Sequence, residues 1–306
     1  MKTILVTGGS GFIGSHLIAK IKESNRVVTL VRDILPTPWA NWLNEALDSC
    51  VIVKGDLLDG DLIRRILADY SIEYVIHLAA QSIVRTALRD PKTTFSVNIM
   101  GTVTLLEACR QLDVPSVYCQ STDKVYGERM DSIETDPLVS TGPYETSKAC
   151  ADLTAQAFME TYGMNIIIGR PCNTYGFDMA KRIIPNTIKV CLKGEPPIIY
   201  EGEKTLRQFI YVEDLVDSIL FLTRQNQKGI YNIGTDDILT QEEVVKNISK
   251  YFPLTPRLVK REKPIKEIQR QTINWSKLEN LGWQPKHTFD EAIQKTIERF
   301  EKYGCN

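Results

Sequence analysis

Two short constellations in this chain have residue types and spacings suited to moving protons. Tyr144 and Lys148 stand four apart in the run Pro143-Tyr144-Glu145-Thr146-Ser147-Lys148, so on a helix their side chains share one face. A free tyrosine titrates near pH ~10 and is a poor base at neutral pH. Positive charge beside it favours the phenolate and brings it toward the range in which it can take a proton from a hydroxyl. The second constellation is Ser121-Thr122-Asp123-Lys124, directly after the strand-like run 116–119. It places an acid and an amine at a strand's carboxyl end, where open α/β sheets do their chemistry. Neither pattern decides anything alone, since Tyr-x-x-x-Lys is more often a solvated helix face and a lysine after a strand often only meets water.

The start of the sequence gives both a context. Val6-Thr7-Gly8-Gly9-Ser10-Gly11-Phe12-Ile13-Gly14 runs from a strand through glycines 8, 11 and 14 into an apolar helical pattern. Glycines there allow a tight turn and close approach of a pyrophosphate, whose charge is met by the free N–H groups of the helix N-terminus. The next strand ends at Val31-Arg32-Asp33, 18 residues from Gly14 to Arg32, where dinucleotide folds select their cofactor. Arg32 favours NADP and Asp33 favours NAD, so the sequence leaves that choice open.

Short β-branched runs alternate with longer amphipathic stretches, the pattern of βαβ units around a parallel sheet. Strands are expected at 3–6, 26–31, 51–53, 74–77, 116–119 and 165–168, with helices at 12–23, 61–70, 93–111 and 144–162. Together they predict a doubly wound sheet whose strand ends face a common crevice. Past Gly169 prolines multiply, and a smaller lobe is expected to start near Asp178. A helix at 212–224 and a strand at 230–233 follow, then helices at 241–251 and 289–303 separated by a charged loop, 253–270. Trp39 and Trp42 read as part of a loop after the second strand. Glu213 and Asp214 read as acids capping the helix they open, and His77 as a packing histidine.

The 306 residues carry 37 Lys plus Arg against 38 Asp plus Glu, with 43% hydrophobic content. This is the composition of an ordinary globular protein, with no overall charge footprint for nucleic acid. No apolar run approaches the ~18 residues of a membrane span, and none has the ~7–15-residue core of a signal peptide. A cytoplasmic protein with no nucleic-acid or membrane partner is expected. Seven scattered cysteines without a C-x-x-C, and three histidines, argue against a disulfide framework or a metal site.

These motifs, with Gly55-Asp56-Leu57, His77-Leu78-Ala79-Ala80-Gln81, Asn98-Ile99-Met100-Gly101-Thr102, Val125-Tyr126-Gly127, Arg170-Pro171-x-Asn173-x-Tyr175-Gly176 and Arg207-Gln208-Phe209-Ile210-Tyr211-Val212-Glu213-Asp214, follow one another in an order that resembles the extended short-chain dehydrogenase/reductases. Within them the likeness is to the nucleotide-sugar epimerases and dehydratases, and it covers nearly the whole chain. The resemblance implies a Rossmann-type doubly wound parallel sheet with a smaller C-terminal α/β substrate lobe. The dinucleotide domain would be 1–177, rejoined by about 206–228, and the lobe 178–306. It also implies a homodimer joined by a four-helix bundle from helices 93–111 and 144–162.

By the same resemblance Gly8, Gly11, Phe12, Ile13, Gly14, Arg32, Asp33, Asp56, Leu57, Leu78, Ala79, Ala80, Gln81, Asn98, Tyr144, Lys148 and Pro171 would hold NAD or NADP, with Asp56 reaching the adenine. Asn173 and Arg207 would grip the diphosphate of a nucleotide-diphosphate sugar, with Arg182 a third candidate. Gln81, Ser82 and Arg85, after the fourth strand, are placed to touch the sugar or its phosphates.

Sugar 4-epimerases of this superfamily usually carry a small or hydroxylic pair where Asp123-Lys124 stands. Most 4,6-dehydratases carry Asp-Glu, and this chain departs from both. Its pair is similar to CDP-glucose 4,6-dehydratases and to inverting UDP-N-acetylglucosamine 4,6-dehydratases, and overall it is most like CDP-glucose and GDP-mannose dehydratases. The implied reaction is oxidation at C4 with Tyr144 taking the O4 proton, Thr122 orienting O4 and Lys148 holding the cofactor ribose. Water is then lost across C5 and C6, with a neutral Lys124 taking the C5 proton and Asp123 protonating the leaving hydroxyl, and hydride returns to C6. A 4-epimerase or related reductase is the alternative, and a non-catalytic cofactor-binding protein the third reading.

Overall fold

The computed structural model describes residues 1–33, 39–202, 205–260 and 268–304. The strands are β1 Thr3–Thr7, β2 Arg26–Val31, β3 Val51–Lys54, β4 Tyr74–His77, β5 Val117–Gln120, β6 Ile166–Pro171, β7 Asn173–Tyr175, β8 Ile198–Tyr200, β9 Leu206–Tyr211, β10 Gly229–Ile233, β11 Ile238–Thr240, β12 Arg257–Val259 and β13 Arg270–Gln271. A seven-stranded sheet in the order β10-β6-β5-β4-β1-β2-β3 is parallel throughout. Its strands are near-continuous apolar runs because both faces are covered, and β4 and β6 are buried along their whole length. The order reverses between β1 and β4, and that switch point opens the crevice at the carboxyl ends.

The helices are α1 Phe12–Ile21, α2 Trp39–Ala46, α3 Gly60–Asp69, α4 Val84–Arg89, α5 Pro91–Phe95, α6 Gly101–Gln111, α7 Pro143–Thr161, α8 Ile183–Leu192, α9 Val212–Arg224, α10 Gln241–Ser249, α11 Ser276–Asn280 and α12 Phe289–Tyr303. Two hydrophobic clusters lie on opposite faces of the large sheet. One, holding Leu5, Val28, Leu105 and Ile166, is closed by α3, α6 and α7; the other, holding Val6, Leu17, Ile76 and Leu215, runs on into the C-terminal lobe.

A second sheet joins β11, β9 and β13, with β7 also paired to β9, and β12 pairs β8 apart from it. The chain thus leaves the large sheet after β6, builds β7 to β9, and returns through α9 and β10, so the returning segment is 212–233 while β9 belongs to the small sheet.

Several sequence expectations need correction. Trp42 lies on helix α2, not in a loop; it is 5% exposed and donates from Nε1 to Ser15 Oγ at 2.8 Å. The expected single helix 93–111 is α5, a π-helical turn Ser96–Met100 and α6 in succession. The proline-rich stretch contains helix α8, with Pro185 in its first turn, where a missing N–H costs nothing. Part of the expected loop 253–270 is β12, and 261–267 lies outside the described residues, as does Cys305. The other six cysteines are free thiols.

Candidate active site

The turn from β1 into α1 is built for close approach. Gly8 sits at φ +76°, and a Cβ there would lie 2.8 Å from the Ala79 backbone; a Cβ on Gly14 would lie 2.2 Å from the Gly8 carbonyl. Gly11 is the N-cap of α1 and offers no side-chain acceptor to the helix's first N–H groups. This cradle fits the diphosphate of a dinucleotide, with free donors and a helix's positive end directed at it.

Behind it the π-helical turn carries Asn98 inward. Its Oδ1 accepts from Gln81 N at 2.7 Å, while Nδ2 donates to Gln81 O at 3.0 Å and Ser147 Oγ at 2.8 Å, tying the 79–81 loop to α7. Gln81's own amide is committed locally: Nε2 donates to Ile83 O and Thr94 Oγ1, and Oε1 accepts from Ile83 N. Backbone and side chain of Gln81 are both engaged within this loop and with Asn98. Ser82 and Arg85 are exposed.

His77 bridges Thr7 Oγ1 at 2.8 Å and Thr102 Oγ1 at 3.0 Å, and burial holds it down to about 3. Thr102 already donates to Asn98 O, so Nε2 carries the proton and the ring is neutral. Arg32 and Asp33 pair with each other at 2.8 Å and stand exposed at the end of β2. Asp56 accepts from Leu58 N at 3.0 Å, and Leu57 packs beneath Gly101.

At the reacting end, β5 leads into a 3-10 turn, Asp123–Tyr126, whose N-cap is Thr122. Thr122 Oγ1 donates to Asp123 Oδ1 at 3.1 Å, and the Thr122 side chain also draws the Tyr144 phenol down. Burial pushes Tyr144 up to about 12; Arg182 is the largest influence drawing it down, while Asp123 pushes it further up.

Lys148 Nζ donates to Gln120 O at 2.5 Å, and burial brings it down to about 8. The Arg182 guanidinium, the largest influence lowering the phenol, stands over the Phe12 ring and pairs with Asp178 at 3.2 Å.

Lys124 is caged. Nζ donates to both Asp123 carboxylate oxygens at 3.1 Å, to Asn173 Oδ1 at 3.1 Å and to Gln271 Oε1 at 2.7 Å. All of these are acceptors, so in this arrangement the amine is spent as a donor. A base role requires the cage to open around substrate.

Asn173 also donates to Gln208 O at 3.0 Å. Arg207 is 8% exposed and donates to the carbonyls of Leu206 at 3.0 Å and Gln269 at 3.2 Å, and to that of Ile268. Glu213 and Asp214 do not cap α9 with their side chains, as was expected: Asp214 receives Lys286 N at 3.0 Å and His287 Nδ1 at 2.8 Å, and Glu213 pairs with Arg299.

Asp152, Asn232 and Gln271, which carry no motif, join Arg170 and Tyr126 in holding the site from beneath. Arg170, 1% exposed, meets Asp152 through Nε and Nη2, both at 2.8 Å, and Ser121 Oγ donates to the same carboxylate at 2.5 Å. Arg170 also donates to Tyr126 Oη at 2.7 Å, which donates to Asn232 Oδ1 at 2.8 Å. The signal for the pair was present: Asp152 falls four after Lys148 on the sheet-facing stripe of α7, and Arg170 interrupts an apolar strand. Gln271 carried no such signal.

Among the described residues no group of three His, Cys, Asp or Glu is placed to hold a metal, and no helix is long and apolar enough to cross a membrane. Residues 4–234 match the model of the NAD dependent epimerase/dehydratase family. The dTDP-glucose 4,6-dehydratase of Haemophilus influenzae is 34% identical, covering 97% of each chain, and that of Xanthomonas campestris pv. campestris strain B100 is 33% identical over 97% of this chain and 93% of its own. Among solved structures, UDP-glucose 4-epimerase of Thermotoga maritima with UDP-glucose superposes with a TM-score of 0.88 at 27% identity, covering 98% of this chain and 99% of that one. The dTDP-glucose 4,6-dehydratase of Bacillus anthracis in complex with NAD gives 0.86 at 28% identity, covering 99% and 97%.

Proposed function

Since the chain belongs to the NAD dependent epimerase/dehydratase family, we propose that it is an NAD(P)-dependent nucleotide-sugar 4,6-dehydratase acting on a nucleoside-diphosphate hexose. The observation that carries this reading is the Asp123–Lys124 ion pair, which stands within the electrostatic reach of Tyr144 and is held by Thr122, Asn173 and Gln271. Moving a hydrogen at C4 needs only Thr122, Tyr144 and Lys148; a further acid/base pair has work only if a second proton moves. Full-length relatives named as 4,6-dehydratases support the same reading.

The chemistry a bound nicotinamide supplies is reversible hydride transfer. The glycine loop, Asp56, Leu78 to Gln81, Asn98, Lys148 and Pro171 would hold the cofactor, and Arg32 with Asp33 would meet its adenosine ribose. Thr122 orients the sugar O4 and Tyr144 takes its proton, for which the phenol must fall well below its level of about 12. Arg182 and a cationic ring both act in that direction. The 4-ketone acidifies C5–H, and Asp123 and Lys124 between them remove that proton and protonate the departing C6 hydroxyl. Asn173, Arg207 and Arg182 supply donors for the diphosphate.

A 4-epimerase is the second reading, favoured by the structural likeness to the Thermotoga maritima enzyme; it shares the C4 step and leaves Asp123 and Lys124 unused. We further infer a homodimer through α6 and α7, supported by Leu153 on α7, Met100 just before α6 and Tyr162 just after α7, all more than half exposed.

Proton NMR in deuterated water with dTDP-glucose, UDP-glucose, CDP-glucose, GDP-mannose and UDP-N-acetylglucosamine tests the reading. A new C6 methyl signal with deuterium at C5 is expected from one of them. Inversion at C4 with an unchanged C6 methylene refutes it.

A further inference from the structure

We propose that Gln271 is a positioning residue for Lys124, and that through it the small sheet of the C-terminal lobe controls water loss without controlling oxidation at C4. The role rests on the dehydratase reading above.

Gln271 is fully buried on β13, 147 residues from Lys124 in sequence. Its amide orientation is forced. Nε2 donates to Asp123 O at 3.0 Å and to Gly127 O at 2.7 Å, the two carbonyls that bracket the turn carrying Lys124. With both N–H groups spent on acceptors, Oε1 faces the ammonium, at 2.7 Å the shortest of its four contacts. A flipped amide would set N–H against N–H and carbonyl against carbonyl.

The other contacts fix Lys124 less well. Asp123 is its neighbour in sequence and moves with the same turn, and Asn173 Oδ1 belongs to an amide already committed to Gln208 O. The lysine side chain is 18% exposed, so a swing toward water is open to it once Gln271 is gone. Gln271 alone reaches both the turn's backbone and the amine at its tip.

Gln271 also stands opposite Arg207 in the β13–β9 ladder. A strand that carries a candidate diphosphate arginine is therefore in register with the residue that aims Lys124, and a shift of the small sheet moves both. Among the described residues neither Tyr144 nor Lys148, both on α7, bonds to β13, and Thr122, the N-cap of the turn, meets Gln271 only through that turn's backbone. Loss of Gln271 should thus separate the two halves of the reaction.

The test uses the full chain with its cofactor and the sugar nucleotide identified by NMR. Gln271→Leu removes the acceptor and both donors; Gln271→Glu also gives up both donors but keeps an acceptor on Nζ, now charged. Three quantities are read: absorbance near ~340 nm for reduced nicotinamide, deuterium entry at C5, and the urea midpoint. For Gln271→Leu the C5 exchange and methyl product should fall roughly 10²-fold, as for a displaced catalytic group, while the absorbance rises above the wild-type level because the oxidised sugar accumulates. For Gln271→Glu the pH profile of C5 exchange should move upward by about one unit or more, since an added anion favours the ammonium.

A merely structural glutamine gives a different result: both half-reactions fall by the same factor with the urea midpoint, and the Gln271→Glu profile keeps its position. That result, or unchanged C5 exchange in a folded Gln271→Leu, overturns the proposal while wild-type dehydration stands. If Gln271→Leu does not fold, the Gln271→Glu profile decides. Wild-type protein that only inverts C4 overturns the dehydratase reading itself, and this role with it.

Discussion

Neutralising Asp152 should be among the most damaging single changes in the protein outside its hydrophobic core. In Asp152→Asn the Arg170 guanidinium keeps its bonds to Tyr126 Oη and Glu134 O but loses a charged, two-point partner at 2.8 Å. Both side chains are at most 1% exposed, so water cannot replace it. Either placement of the asparagine's amide sets its N–H against an Arg170 N–H, with Ser121 Oγ beside it at one position and Gln156 Nε2 at the other. An uncompensated buried charge of this kind costs about 3–5 kcal/mol, a large part of the ~5–15 kcal/mol that holds a typical domain. For a chain of this length it corresponds to a melting point lower by about 5–8 °C.

Urea unfolding followed by tryptophan fluorescence and far-ultraviolet dichroism measures the loss. The control removes both charges: Asp152→Leu with Arg170→Met should recover more than half of it, because a desolvated pair adds little over a well-packed apolar one. The Asp152→Asn loss should also lower turnover beyond the fraction unfolded, because Asp152 braces both Ser121, next to Thr122, and Arg170. A loss under ~1 kcal/mol, or a double variant as unstable as the sum of its singles, refutes the reasoning.

Two other outcomes follow from charges elsewhere. Arg32→Ala should weaken NADP by roughly 10-fold or more and leave NAD nearly unchanged, a charged hydrogen bond to a 2′-phosphate being worth about 1.5–3 kcal/mol, and Asp33→Asn should weaken NAD instead; fluorescence titration with both cofactors checks this, and equal affinities in both variants would remove the pair from selection. Acid should destabilise the fold below pH ~6.5, because burial holds His16 and His77 down to about 3 while the unfolded chain protonates them near 6.5. The unfolded state then binds more protons, so stability present above 6.5 is lost as pH falls toward 3, by at most about 1.4 kcal/mol per pH unit for each ring. Asp237, raised to about 6 by burial, works the other way and offsets part of this between about 6 and 3.8. A urea midpoint that stays flat from pH 7.5 to 5 counts against the histidine account.

What the sequence made legible was what local chemistry encodes. Helix α12 could be bounded correctly because Thr288 and Glu291 form a reciprocal cap and the apolar stripe repeats up to Tyr303. The glycine turn, the Tyr144–Lys148 helix and the strand before Thr122 were legible for the same reason. The π-helical turn was not, since residues 91–111 keep a helical texture throughout while one widened turn rotates Asn98 inward. Helix α2 was hidden by Pro36 and Pro38 just before it. The site's supporting partners are tertiary: nothing near Gln271 in sequence hints that its amide closes on Asp123 and Lys124.

The division of the site follows the division of the chemistry. Thr122, Tyr144 and Lys148, which suffice to exchange a hydrogen at C4, all stand on β5 and α7 or the turn between them, braced by Asp152 and Arg170 within the large-sheet domain. The Lys124 cage is different, since two of its three partners come from β7 and β13 of the small sheet, and β9 between them carries Arg207. A rigid oxidation site at the strand ends can therefore serve many sugars, while the group that acts at C5 and C6 is set by how the small sheet lies against it. Substitutions along β7, β9 and β13 should change what happens after the ketone forms, and substitutions along α7 should stop the reaction before it.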